Sequence, residues 1–510
     1  METIGMRDSV PVIQFPGYRL GTGYRLQLVD VVCTACWLRI TVLIRQAGTV
    51  GDLLKGSEKW CRISVCLTGF CSFPPGISVK YRNCWSMTFA PILSGGVWLF
   101  VLLALLFVLP VGSANAQSDQ ATQWSRFRGP NGSGVTTARG IPSQWSENDH
   151  AWVAELPGVG NSSPVAWGDR VFVTAADVEN EIRFLICFDL HSGEELWRAA
   201  DDFKSFKKHK NNSFASATPA VDADHVYQLW HSKKATSLIA YDHGGNEQWR
   251  AELGAYLHGQ GGATSPIVAG DFVVVAHDHK SNSFLLALDR KTGKQHWKIP
   301  RDGKRACYST PCVRDADGRP EIVFVHCFEG VTGVDLETGQ LNWMVDPFGR
   351  ESQRALASPV VSGNLVIAGS GAIAGDRQVV AIGIGKDADE PAAELYRVVR
   401  QAPHVPTPLI LGNRVYLWND GGICTCCDLR TGEVVWQKRV GGSYFSSPIA
   451  IGDRIFSIDT TGEVVVLAAG DTFRVIARNP MGQGSRATLA VAGKNLLIRT
   501  EGKLFAVRGK

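Results

Sequence analysis

The chain has 510 residues, 45% of them apolar and 20% charged, which is enough to bury a large core and too apolar for general disorder. Its formal charge of +4 sits at one end: residues 1–116 hold ten Lys or Arg against five Asp or Glu, so the remainder carries one net negative charge. A near-neutral body lacks the clustered positive charge on which phosphate-backbone binding runs, and nucleic acid is set aside as a partner.

Residues 1–86 show no sustained periodicity and are read as an unstructured or misassigned N-terminal extension. From Val97 to Val111 fifteen apolar residues follow one another, and Gly112-Ser-Ala-Asn-Ala116 comes next. This pattern fits the core and the Ala-x-Ala site of an export signal over 87–116, cut after Ala116. The run is shorter than the ~20 residues of a spanning helix, so no membrane span is expected after signal removal. The nearest preceding positive charges are Lys80 and Arg82, and translation is read as beginning near Met87 or a little upstream, with the residues before about 80 a misassigned start. Export puts the protein in the periplasm or outside the cell.

Residues 117–149 read as an ordered arm rich in Trp, Gly and Pro, with Phe127-Arg-Gly-Pro-Asn-Gly-Ser-Gly134 at its centre. From 150 to 510 the chain repeats itself. One phrase, Asp-x-x-x-Gly-x-x-x-Trp, occurs at Asp189/Gly193/Trp197, Asp289/Gly293/Trp297, Asp335/Gly339/Trp343 and Asp428/Gly432/Trp436, with a copy one residue shorter at Asp242/Gly245/Trp249. Asp caps a tight turn through its side chain, Gly supplies a positive φ, and Trp opens the next strand. Each repeat begins with Ser/Thr-Pro, and prolines 164, 219, 266, 311, 359, 408 and 448 are spaced 40 to 55 residues apart. Thr488-Leu489 takes the eighth place.

Eight starts at this spacing predict an all-β fold, an eight-bladed β-propeller of four-stranded blades. Repeats five and seven lack the phrase, and Tyr396 and Phe473 are read into the Trp slot. Repeat eight reaches Lys510 without a fourth strand. Ala151-Trp152-Val-Ala-Glu-Leu156 has the Trp but no repeat of its own, so the ring is expected to close with this N-terminal strand, leaving no open edge.

Repeats of the form Ser/Thr-Pro…Gly-Asp…Leu-Asp-x-x-Thr-Gly-x-x-x-Trp resemble the pyrroloquinoline-quinone (PQQ) repeat family, which includes quinoprotein alcohol dehydrogenases and the outer-membrane assembly lipoprotein. The arm is similar to that of secreted planctomycete-type PQQ-like propellers. The resemblance implies that Trp152, Trp197, Trp249, Trp297, Trp343 and Trp436 dock between blades. It also implies that a PQQ enzyme would hold its cofactor on a Trp floor beneath a ring of adjacent cysteines, with calcium. Cys426-Cys427 are adjacent but belong to a third strand, away from the channel rim.

The segments ahead of each Ser/Thr-Pro converge on the channel mouth. They contribute Asn161, His209, His258, Arg305, Tyr308, Arg354, His404, Tyr444 and Arg486, a set suited to an anionic or polyhydroxylated ligand. His231, His277 with Asp278 and His279, and His326 end second strands, but their spacing matches no known metal site, and no metal is expected. Gly-x-Ser-x-Gly and His-Glu-x-x-His are absent, and no catalytic residue is assigned. Of 13 cysteines seven follow the apolar run, an odd number read as structural or free thiols. The expected function is a monomeric, non-catalytic scaffold that binds a protein or an anionic ligand at its rim, with no cofactor. The alternative is a PQQ-dependent quinoprotein oxidoreductase.

Overall fold

A computed structural model describes residues 123–509 except 258, 304, 350–353, 372–376 and 386–389, together with four strands nearer the N-terminus. The chain divides into two compact units, 1–108 and 109–510. In the first, Arg19–Leu20, Tyr24–Thr34, Trp37–Gln46 and Trp60–Thr68 pair in order as an antiparallel meander. Four paired strands thus lie within the stretch read as an unstructured or misassigned extension. Its strands are rich in β-branched residues, as in Trp-Leu-Arg-Ile-Thr-Val-Leu-Ile, a propensity that a search for strict alternation passes over. The expected signal over 87–116, its cleavage site and His258 fall outside the described residues. Among those described, no helix is long and apolar enough to cross a membrane.

In the second unit each repeat folds into a four-stranded antiparallel blade. Blade three is typical, with strands Ile267–Ala269, Phe272–His277, Ser283–Asp289 and Gln295–Arg301. The second and third strands are buried on both faces because blades stack face to face, so they read as continuous apolar runs. Only the outer strand alternates between core and solvent. At the corner between them Asp289 Oδ1 accepts the N–H groups of Lys291 and Thr292. Gly293 follows at φ 69°.

The Trp of this phrase locks one blade to the next. Trp249 Nε1 donates to Arg290 O of blade three at 3.1 Å, and a Cβ on Gly293 would stand 2.6 Å from the Trp249 ring. The corner glycine is thus needed twice, for its φ and for the ring that lies on it. Trp152, Trp197, Trp297 and Trp436 dock in the same manner on Leu190, His243, Leu336 and Gly470 carbonyls. Tyr396 fills the slot in blade five through its hydroxyl on Leu429 O.

Two positions differ from expectation. Trp343 faces a blade that lacks the phrase, and its Nε1 turns back to Glu321 of its own blade. In blade seven the slot belongs to Ala477, paired with Val466, whereas Phe473 packs edge-on against Trp436 at 5.3 Å.

The ring closes as the truncated eighth repeat requires. Ala490–Ala492, Asn495–Arg499 and Lys503–Arg508 are completed by His150–Glu155, with Lys503 opposite Glu155 and Ala506 opposite Trp152.

Candidate functional site

The channel is built from the Ser/Thr of each Ser/Thr-Pro step. Ser163 N–H donates to Thr218 Oγ1 (2.9 Å), Thr218 N–H to Ser265 Oγ (2.9 Å), Ser265 N–H to Thr310 Oγ1 (3.3 Å) and Thr310 N–H to Ser358 Oγ (2.9 Å). Ser358 N–H then donates to Thr407 Oγ1 (3.1 Å), Thr407 N–H to Ser447 Oγ (3.0 Å), Ser447 N–H to Thr488 Oγ1 (2.9 Å) and Thr488 N–H to Ser163 Oγ (3.2 Å). Each blade hands one hydrogen bond to the next until the circle closes. The proline that follows in seven of the blades has no N–H to leave unpaired where the strand begins. Every ring hydroxyl accepts a bond and keeps its own proton. Among the described residues none of these eight hydroxyls donates to a protein acceptor, and all eight line one cavity of about 640 Å³.

The arm supplies the floor of this cavity. Trp124 pairs with Ala166 of blade one, Ser125 O accepts Val221 N–H of blade two, Asn131 pairs with Val313 of blade four, and Val135–Thr136 adds a parallel strand to blade seven. The segment therefore runs along the inner strands of four blades and fills the channel, with Phe127 facing the cavity. Arg126 and Arg128 flank it and are buried. Arg126 donates to Pro311 O, and Arg128 donates to Pro448 O at 3.1 Å. Burial pushes Arg126 down to about 10 and Arg128 to about 9, the latter helped by repulsion from Arg126. No carboxylate among the described residues pairs with either, so two guanidinium charges sit beneath the floor held by carbonyl groups alone.

The structure brings Asn161, His209, Tyr308, Arg354, His404 and Arg486 together on the cavity wall. It adds Arg377 and Asp420, which lie beyond second strands and escaped a reading confined to segments ahead of Ser/Thr-Pro. Asp420 accepts the His404 N–H at 2.8 Å and pairs with Arg377 at 3.2 Å; Arg486 pairs with Glu501 at 3.1 Å. Arg354 has no carboxylate partner among the described residues. His404 lies on Gly371, where a Cβ would meet its ring at 1.9 Å, and burial holds its imidazole below the usual range despite Asp420.

Two expected rim residues lie elsewhere. Tyr444 is fully buried with its ring 5.0 Å from Trp418, because its neighbours Ser443 and Phe445 take the cavity side of the extended segment. Arg305 stands over Phe328, 6.0 Å from the ring centroid.

The histidines sort differently from their order along the chain. His231, His277 and His279 stack around Tyr256 with centroids 4.6 to 5.4 Å apart. Burial drives His277 down to about 3 and lowers His279 as well. Among the described residues two other groups have metal-ligand chemistry, the buried Cys307, His326 and Cys327 and the partly exposed Asp222, Asp224 and His225.

Among the described residues the PQQ arrangement finds no counterpart. Cys426 belongs to the core shared with blade seven and Cys427 to the core shared with blade five, on opposite faces of one strand. The cavity floor is Phe127, and no tryptophan lines the cavity among the described residues. The described lining residues do not match that arrangement.

Comparison with known proteins accords with this architecture. The chain is 24% identical over 310 residues to the outer membrane protein assembly factor BamB of Yersinia pestis, covering 59% of this chain and 62% of that protein. It thus spans about three fifths of that relative's length. Among solved structures, BamB of Moraxella catarrhalis superposes with a TM-score of 0.50 at 16% identity, covering 71% of this chain and 97% of that one. The quinohemoprotein alcohol dehydrogenase of Comamonas testosteroni gives 0.54 at 12% identity, covering 78% and 82%, a likeness of fold. The family described as outer membrane protein assembly factor BamB matches residues 183–390 and 400–510, more than half of the sequence, and the chain belongs to that family of propellers.

Proposed function

We infer that the protein is an exported, non-catalytic propeller scaffold whose channel mouth takes an anionic, hydroxyl-rich ligand. One observation carries the reading: eight hydroxyl protons without protein acceptors among the described residues encircle the cavity, with Arg354 on its wall and Arg126 and Arg128 buried on either side of Phe127. Hydroxyl and guanidinium donors match carboxylate or sulfate groups on a polyol. A cavity of about 640 Å³ holds a ligand of disaccharide size. The family name speaks of outer-membrane protein assembly, and a protein partner that presents carboxylates would engage the same donors.

Isothermal titration with a uronic-acid disaccharide and with the neutral disaccharide of equal length tests this. Only the acidic sugar should bind, and Arg354→Ala should weaken it at least tenfold, the loss of a charged hydrogen bond worth about 1.5–3 kcal/mol. Equal binding of both sugars, or of neither, argues against the reading. For the quinoprotein alternative, added PQQ and calcium with dye-linked alcohol oxidation is the direct assay, and tight uptake would overturn our preference.

A further inference from the structure

Cys307 lies on the loop that leads from blade three into blade four, and Cys327 in the turn after Arg319–His326. Their sulfur atoms are 3.4 Å apart and buried, and the N–H of Cys327 points at Cys307 Sγ from 3.3 Å. With a nitrogen of His326 the two sulfurs lie within 4.8 Å of one another. Such a group suggests a metal, but the imidazole is set for another role. Nδ1 accepts N–H groups of Phe328 (3.3 Å) and Glu329 (3.2 Å), which leaves the ring proton on Nε2. Nε2 is then a donor without a lone pair to offer; among the described residues it finds no oxygen or nitrogen acceptor, and its side-chain partner is the Cys307 thiol. The chemistry that remains is that of two thiols in contact.

We propose that Cys307 and Cys327 close to a disulfide while the protein folds in an oxidising compartment, tying the loop that carries Tyr308 to blade four; the compartment rests on the export reading above. The thiolate of Cys307 attacks one sulfur of an external disulfide, borne by a thiol-disulfide oxidoreductase or an oxidised small thiol, and one thiolate leaves. Deprotonated Cys327 then attacks Cys307 Sγ and expels the second. Two cysteine thiols are oxidised, the external disulfide is reduced to two thiols, and both protons end on those thiols. The sulfurs must approach by about 1.4 Å, within reach of two side-chain rotations. Closure precedes burial, since neither sulfur is accessible once the blades stack. Tyr308 N–H donates to Ala355 O at 2.8 Å and Tyr308 lines the cavity beside Arg354, so the bridge braces that wall.

The test is peptide mapping of the protein recovered from the exported fraction, denatured and alkylated without reductant. The expected result is one peptide pair joined through Cys307 and Cys327, two hydrogens lighter than the separate peptides, with Cys187 and Cys312 alkylated. Cys307→Ser and Cys327→Ser should each lower the melting temperature as far as reduction of the wild type does, and His326→Gln should keep the bridge. Both cysteines alkylated in the exported protein overturns the proposal. So does a chelatable equivalent of zinc that holds the two thiols reduced and is lost in His326→Gln. Cell fractionation reports on export separately, and oxidation of the refolding chain by glutathione disulfide tests the pairing wherever the protein resides; a product lacking the Cys307–Cys327 link refutes it.

Discussion

Replacing Thr407 by valine removes one link of the hydroxyl circle while keeping the shape of the side chain. Ser358 N–H, which donates to Thr407 Oγ1 at 3.1 Å, loses its acceptor at a buried position. A buried donor left unpaired costs about 1–3 kcal/mol. With an unfolding entropy of about 2.1 cal/mol/K per residue over a unit of about 400 residues, that corresponds to a fall in melting temperature of about 1–4 °C. Differential scanning calorimetry of Thr407→Val, Thr407→Ser and the wild type separates the bond from the packing. The serine variant keeps the acceptor and should lose less than half as much as the valine variant. A valine variant that melts with the wild type, or a serine variant as damaged as the valine one, refutes the argument that the ring bonds stabilise the fold.

Trp152→Ala removes the closing strand's anchor on Leu190 O and should cost about 3–5 kcal/mol, read as a shift of the whole denaturant transition; a separate early transition would mean that blade eight is not part of one cooperative ring. Gly293→Ala and Gly363→Ala both place a side chain at positive φ, but only the first drives Cβ into a Trp ring, at 2.6 Å, whereas the second has open space. Gly363→Ala should therefore lose only about 1–2 kcal/mol and Gly293→Ala distinctly more in urea titration. Acid should weaken the corners. The Thr292 hydroxyl and N–H hold the Asp289 carboxyl below the usual range, and the N–H groups of Arg430 and Thr431 do the same for Asp428. A depressed folded pKa contributes stability that is fully present above the unfolded value, about 3.9, and is lost as pH falls through the folded value. Asp289→Asn should flatten that acid limb in thermal melts between roughly pH 4 and 2, and an unchanged limb would show that the corner contributes nothing.

The corner phrase was legible because its physics is local: an Asp that caps its own turn, a glycine at positive φ and a Trp four residues on repeat visibly, and their count and spacing predict eight blades. The missing strand of repeat eight was legible for the same reason, as a Trp-bearing strand without a repeat. The wall was legible only in part. Residues ahead of Ser/Thr-Pro reach the mouth in six cases, but whether a given side chain faces the cavity depends on the twist of each loop, and this turns Tyr444 into the core behind Ser443 and Phe445. Arg377 and Asp420 come from hairpins that approach the mouth only once blades five and six stand side by side.

The sequence by itself determined the blade strands, their corners, the number of blades and the strand that completes the circle, because strand propensity and turn chemistry act within a few residues. Only the tertiary structure decided what the Ser/Thr of each repeat does, since each hydroxyl meets a backbone N–H some 40 to 55 residues away and the last bond joins Thr488 to Ser163 across 325 positions. It also decided that the arm plugs the channel and carries two buried arginines under the cavity, because that path exists only inside a closed ring.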